Sequence, residues 1–156
     1  MKMSSAVPKK VEITLTVQQS LGAIETMGEL FGTGAGVILY HFGRGIGKAM
    51  MSELEGPKSA NAEKKAELFV KSLNDSGWCE LDLVNLDQED GSANFSVKRL
   101  PTGVAGNDNY EMVVRGLCSG FLEGLWGMQV SVMRGSSKGS AIELVANKAT
   151  IVGGGM

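Results

Sequence analysis

Two cysteines, one histidine and a near-balance of charge leave few kinds of chemistry open to these 156 residues. Cys79 and Cys118 are the only thiols, and MKMSSAVPKKVEIT has charge but no apolar core of a secretory leader. The default is two reduced, mostly buried cysteines in the cytoplasm, with a bridge between them left open. Two cysteines alone do not make a structural zinc site. His41, the sole histidine, would have to serve any imidazole chemistry. It shares the polar side of a helical pattern with Arg44 and Lys48, where a solvated surface role is expected. No serine or cysteine has an identifiable partner base, so neither an enzyme nor a resident cofactor is predicted.

Fifteen basic residues against 17 acidic ones give a net charge of -2, which argues against a nucleic-acid surface or an anionic membrane partner. There is also no long uncharged apolar run. The stretch around Gly120 comes nearest, but Arg115 and Glu123 inside it would each cost about 2.5 to 3.5 kcal/mol near the centre of a bilayer. A soluble, buried helix is the better reading. The length suits one domain, expected over 11–152 after a loose tail over 1–10.

Glycine, by contrast, is abundant, with 22 in the chain, and it falls where helices should be. In VVRGLCSGFLEGLWGM, from Val113 to Met128, Gly116, Gly120 and Gly124 stand four apart and form one row of a helix. The row lies between a polar strip (Arg115, Ser119, Glu123) and a broad apolar arc running through Leu117, Cys118, Phe121, Leu122, Leu125 and Trp126. A second segment, Gly34 to Leu54, places Gly36, Gly43 and Gly47 in a narrow sector flanked by Leu39, Tyr40, Ile46, Met50 and Leu54. Each glycine costs about 1 kcal/mol against alanine inside a helix, so something must offset it. Either the two helices pack unusually close, or they leave a slot for an apolar ligand.

GRGIGK at Gly43 to Lys48 resembles a phosphate loop only superficially. Phe42 and Ala49 stand where that loop needs its first glycine and its hydroxyl, and no strand precedes it. The acidic run from Asp87 to Asp90 lacks the length and terminal glutamate of a calcium loop and reads as a hairpin tip. Tyr40, Phe121 and Trp126 sit on or beside the notched helices. They either belong to the core or line a cavity, where the Tyr40 hydroxyl or the Trp126 N–H would orient a ligand.

VEITLTV, Val11 to Val17, alternates as a half-buried strand does. Thr16 or Ser20 then caps a helix through Leu30, with Leu21, Ile24, Met27 and Leu30 on one side. GTGAG breaks the pattern before the notched helix, which Gly56 and Pro57 end. A third helix runs from Asn61, its cap, to Ser76, with Ala66, Phe69, Val70 and Leu73 inward and Gly77 as its stop. CELDLVNL and ANFSVKRL form a hairpin around Asp90 and Gly91. TGVAGNDN leads into the glycine-rich helix. QVSVMR and SAIELVA make a second hairpin around GSSKG, with KATIV extending or following it. Helices alternating with antiparallel hairpins predict an α+β domain, helices packed on a twisted antiparallel sheet.

Three stretches resemble the 4-vinyl reductase domain family: GVILYHFGRGIGKAM, LFVKSLNDSGWCELDLVNL and RGLCSGFLEGLWGMQVSVM. The resemblance covers Leu21 to Ala146 and rests on glycines and apolar residues. It implies a fold shared with heme-based nitric-oxide sensor domains and with core subunits of the TRAPP vesicle-tethering complex. It also implies a sensory module, often dimeric, for small hydrophobic or aromatic molecules. Many members of the family bind zinc through the cysteine matched by Cys118, a glutamate and two cysteines of the last hairpin. Here that hairpin offers Val130, Met133 and Ser140 or Ala141, so no metal is predicted. The expectation is a homodimeric module binding a small hydrophobic molecule in a cleft lined by Tyr40, Gly43, Gly47, Cys118, Phe121 and Trp126. The alternative is a TRAPP-like assembly scaffold with a vestigial pocket.

Overall fold

A computed structural model describes residues 12–54, 61–104, 107–136, 139 and 141–149. The expected tail, Gly56 with Pro57, and the chain beyond Ala149 lie outside the described residues. Helix α1 spans Val17–Phe31, a single 3-10 turn follows at Gly32–Gly34, and α2 spans Ala35–Glu53. Then come α3 (Ala62–Ser76), the hairpin β1 (Glu80–Asp87) and β2 (Ser92–Arg99), α4 (Asp108–Trp126), and β3 (Val130–Arg134) with β4 (Ile142–Lys148). The strands form one antiparallel sheet in the order β1-β2-β4-β3, the α+β arrangement expected.

Local chemistry accounts for most boundaries. Thr16 starts α1 with a reciprocal cap: its hydroxyl accepts from Gln19 N–H at 3.1 Å while Thr16 N–H donates to Gln19 Oε1 at 2.9 Å. That cap overturns the strand expected over Val11 to Val17. Val11 lies outside the described residues, Glu12 to Thr16 pair with no strand, and Ile13 is 88% exposed. Alternation makes a strand only where a sheet edge accepts it, and here the helix cap claims the end of the run. Leu30, expected on the inner side of α1, is also exposed.

Asn61 caps α3 by accepting from Lys64 N–H at 2.8 Å, and Gly77 closes it at φ 87, a left-handed conformation that costs glycine little. The Asn74 side chain then clamps the start of β1, accepting from Leu81 N–H (2.7 Å) and donating to its carbonyl (3.0 Å). Gly91, also left-handed, turns the first hairpin, where Asp87 accepts from both Gly91 N–H and Asp90 N–H.

One face of the sheet carries Leu81, Ala93, Phe95, Val97, Leu144 and Ala146, all buried. Phe69 of α3 links this layer to α4, stacking on Phe121 with ring centroids 4.3 Å apart and meeting Phe95 edge-on. α4 is buried almost all round, as its wide apolar arc requires. Its most extensive partner is α2.

The glycines decide how close those two helices come. A Cβ on Gly43 would fall on the Val113 carbonyl oxygen and 3.0 Å from Leu117 N, and one on Gly47 would fall on the Leu117 carbonyl and 2.8 Å from Phe121 N. The contact is reciprocal. A Cβ on Gly116 would strike the Tyr40 carbonyl, and one on Gly120 the Arg44 carbonyl, with Lys48 N 2.8 Å away. Backbone therefore fills the notches on both helices, and no slot separates α2 from α4 along this seam. Gly124 and Gly36, in line with the two rows, meet only side chains, Met51 for Gly124 and Met112 with Asn109 for Gly36.

Candidate functional site

The polar strip of α4 turns toward the free edge of β3. In an antiparallel pair alternate residues point their backbone groups away from the partner strand, and Gln129 and Gly135 pair with β4 through Ala149 N–H and Glu143 O. Val130 and Val132 therefore face outward. Ser119, fully buried, donates to the Val130 carbonyl at 2.7 Å, and Glu123 Oε2 accepts from Val130 N–H at 3.2 Å. One residue pair further, Val132 N–H donates to the Tyr40 hydroxyl of α2, also at 3.2 Å. Three side chains from two helices thus cap an edge that would otherwise expose unpaired backbone.

Glu123 is only 8% exposed, so its charge must be met inside the protein. Arg44 Nε donates to both of its oxygens at 2.9 Å, and Lys48 Nζ lies 3.3 Å from Oε1. Burial pushes the carboxyl up, but the Val130 N–H, Arg44 and Lys48 together hold it below the ordinary carboxylate range. The solvated face expected for Arg44 and Lys48 holds for Lys48, whose side chain is half exposed, while Arg44 is mostly withdrawn from solvent. Both reach over the seam to a buried carboxylate. Glu111, about three turns earlier on α4 and also buried, is likewise held by two cations, Arg115 at 2.6 Å and Arg134 at 3.6 Å.

Between α2, α4 and β3 these groups border a groove of about 350 Å³. Val37, Met112, Val130 and Val132 supply apolar wall, and Tyr40, His41, Arg44 and Glu123 supply the polar part. Arg44 Nη1 sits 3.3 Å from His41 Nδ1, and the His41 and Tyr40 rings meet edge to face at 5.7 Å. A larger depression of about 450 Å³ runs along the exposed side of α3, but its charged residues, Lys71 and Asp75, already pair with each other at 2.7 Å.

The six residues expected to line a cleft do not converge. Tyr40 borders the groove. Gly43 and Gly47 face the backbone of α4, Cys118 is fully buried, and Phe121 lies in the aromatic stack. Trp126 borders a separate hollow of about 160 Å³ beside Lys148, and its buried Nε1 has no partner among the described residues. His41 is exposed, as its place on the polar side of the helix implies, and Val37, Met112, Glu123 and Val132 join it and Arg44 at the groove without having been expected at a site. One signal was present: Glu123 one turn after Ser119 in an otherwise apolar helix marks polar atoms that need buried partners.

Burial sets the thiols apart from nucleophilic chemistry. It pushes Cys79 up to about 12 and Cys118 well above the ordinary thiol range, with Cys79 adding to the latter. Among the described residues no group of three His, Cys, Asp or Glu side chains is placed to hold a metal ion. Among them, too, no helix is long and apolar enough to cross a membrane.

No family model matches the sequence, and no curated protein does. Solved structures do resemble the fold. The phenol-responsive sensory domain of the transcription activator PoxR, with phenol, aligns at a TM-score of 0.71 and 11% identity, over 88% of this chain and 76% of that one. A trafficking protein particle complex subunit 3 from Naegleria fowleri, covalently bound to palmitic acid, aligns at 0.53 and 14% identity, over 84% and 95%. At these identities the likeness establishes a shared fold.

Proposed function

We propose that this chain is a non-catalytic module that binds a small hydrophobic molecule, works as a homodimer, and belongs to the 4-vinyl reductase domain family without that family's zinc site. The observation that carries the reading is the groove beside Tyr40. Its volume of about 350 Å³ falls at the lower end of the range for small-molecule sites, and its walls combine apolar side chains with a few convergent polar ones. The fold neighbours favour the same class of ligand, since one responds to phenol and the other carries palmitic acid. Of the residues first expected to line the site, Tyr40 alone is kept. The buried thiols and the contact between His41 and Arg44 favour binding over catalysis.

Calorimetric titration with phenol, and native mass spectrometry of gently purified protein for a ligand already bound, test this reading. Binding in the wild type and its loss in Val37→Trp, which fills the groove from an exposed position, is the expected result. No co-purifying molecule and no heat of binding in the millimolar range, from phenol or from its carboxylate counterpart benzoate, would overturn it.

One observation favours the alternative, an assembly scaffold with a vestigial pocket. Ile38 and Phe42, one turn apart on α2, are exposed, as are Leu30 and Phe31 at the end of α1. Exposed apolar groups in such number suit a protein interface. Light scattering across concentrations, with Phe42→Glu as the disrupting variant, measures the assembly. A persistent oligomer with no ligand binding is the scaffold's signature.

A further inference from the structure

The polar atoms around the groove are unequal in kind. Glu123 is its only carboxylate among the described residues, and both oxygens are spent, one on Arg44 and Lys48, the other on Arg44 and the Val130 N–H. Arg44 spends Nε on Glu123 and Nη1 on His41, so Nη2 has no partner among the described residues. The contact at 3.3 Å has Arg44 donating, which makes Nδ1 the acceptor and leaves the His41 proton on Nε2. The Tyr40 hydroxyl accepts from Val132 N–H, and its own proton has no acceptor among the described residues. Three donors therefore stand unused. Among the described residues only Gln129 and Ser131 add further side chains that can also accept.

Charge points the same way. Glu123 of the lining meets two cations, Arg44 within the lining and Lys48 outside it, so a positive charge is left over beside the groove, in a chain whose net charge is -2. Glu111, the next buried carboxylate along α4, does not cancel it, because Arg115 and Arg134 already hold it. A neutral guest would leave that charge and those donors facing an apolar body. An anionic head group would meet both.

We infer that the groove selects a small monocarboxylate, its apolar body against Val37, Met112 and Val132 and its carboxylate over Arg44, His41 and the Tyr40 hydroxyl. This rests on the binding reading above and narrows it to one class of ligand. Arg44 gives that carboxylate the charge-assisted N–H groups of Nη2 alone, because Glu123 and His41 already take Nε and Nη1.

Benzoate and phenol, matched in their ring and opposite in charge state at neutral pH, separate the two ideas in calorimetric titrations of the full chain at low salt. Benzoate is expected to bind about tenfold more tightly than phenol. Arg44→Gln alone risks unfolding, because Glu123 loses its closest partner, so Lys48→Gln is the informative variant: its side chain is half exposed and it removes the surplus charge. It should weaken benzoate about threefold and leave phenol unchanged. Val37→Glu, which puts a like charge at the exposed rim, should abolish benzoate binding. Phenol binding as well as benzoate, or benzoate binding that survives Val37→Glu, overturns the carboxylate inference and leaves the binding reading standing. Failure of both molecules to bind removes both.

Discussion

Two adjacent strips of α2 meet α4 in opposite ways. Along one, Gly43 and Gly47 let the backbone of α4 into contact with that of α2, and nothing else could enter. Along the other, Tyr40 and Arg44 press their carbonyls on Gly116 and Gly120 while their side chains reach out to Val132 and Glu123. The first strip is filled by protein and the second opens into a groove. Missing side chains along a helix thus report that space is occupied. Where the helices nearly touch, the residues next to the notches are the ones free to line a site.

The comparison breaks most violently at the seam. Gly120→Ala puts a methyl group against the backbone of Arg44 and Lys48, where no rotamer change relieves it, and overpacking of this kind costs about 3 kcal/mol or more. Urea denaturation should show that loss, and Gly43→Ala and Gly47→Ala should fall in the same class. If any of the three is tolerated within about 1 kcal/mol, the helices are not in backbone contact.

On the groove side the largest loss is expected from Arg44→Ala. It strips a buried carboxylate of its nearest partner, an effect of about 2 kcal/mol, set below that of a fully buried pair because Lys48 remains and both cations reach solvent. The same network gives a pH signature. Glu123 is held below its unfolded value, so its contribution is fully present above the unfolded carboxyl range and is lost as pH falls through its folded value. Stability of the wild type should decline into acid, and Glu123→Gln should flatten that part of the curve. An unchanged acid limb would mean that the carboxylate is not buried among its partners. Tyr40→Phe comes next, at about 1 kcal/mol, because Val132 N–H loses its acceptor at a partly buried edge. Amide exchange at Val132 should quicken more than at its neighbours.

Much of this was legible from the chain. The Asn61 cap, the Gly77 stop and the Asp90–Gly91 turn are local signals, written within a few residues, and the structure realises each. The two glycine rows located the contact of α2 with α4. Their spacing did not say whether backbone or guest filled the room, because absence of a Cβ is the same fact in both cases. Two features were illegible for opposite reasons. Ile13 and Leu15 alternate correctly for a strand but find no sheet edge, so a true local pattern lost to tertiary context. Arg44 and Glu123 pair across 79 residues, and only the folded seam brings them together.

The smallest expected effect has the opposite sign, and that makes it the sharpest test. Gly45 lies between Gly43 and Gly47 in the sequence but on the far side of α2, where a Cβ would meet nothing within 4 Å. If glycine is present in this helix only because α4 crowds it, Gly45 has no such reason, and alanine there gains helix propensity and loses unfolded-state freedom without a clash. Gly45→Ala should therefore raise stability by about 0.5 to 1 kcal/mol, visible as a higher urea midpoint with an unchanged slope. A destabilised Gly45→Ala would mean that something covers this outer face as α4 covers the inner one. A second copy of the chain is then the first occupant to look for, because exposed Ile38 and Phe42 continue the same strip at i-7 and i-3.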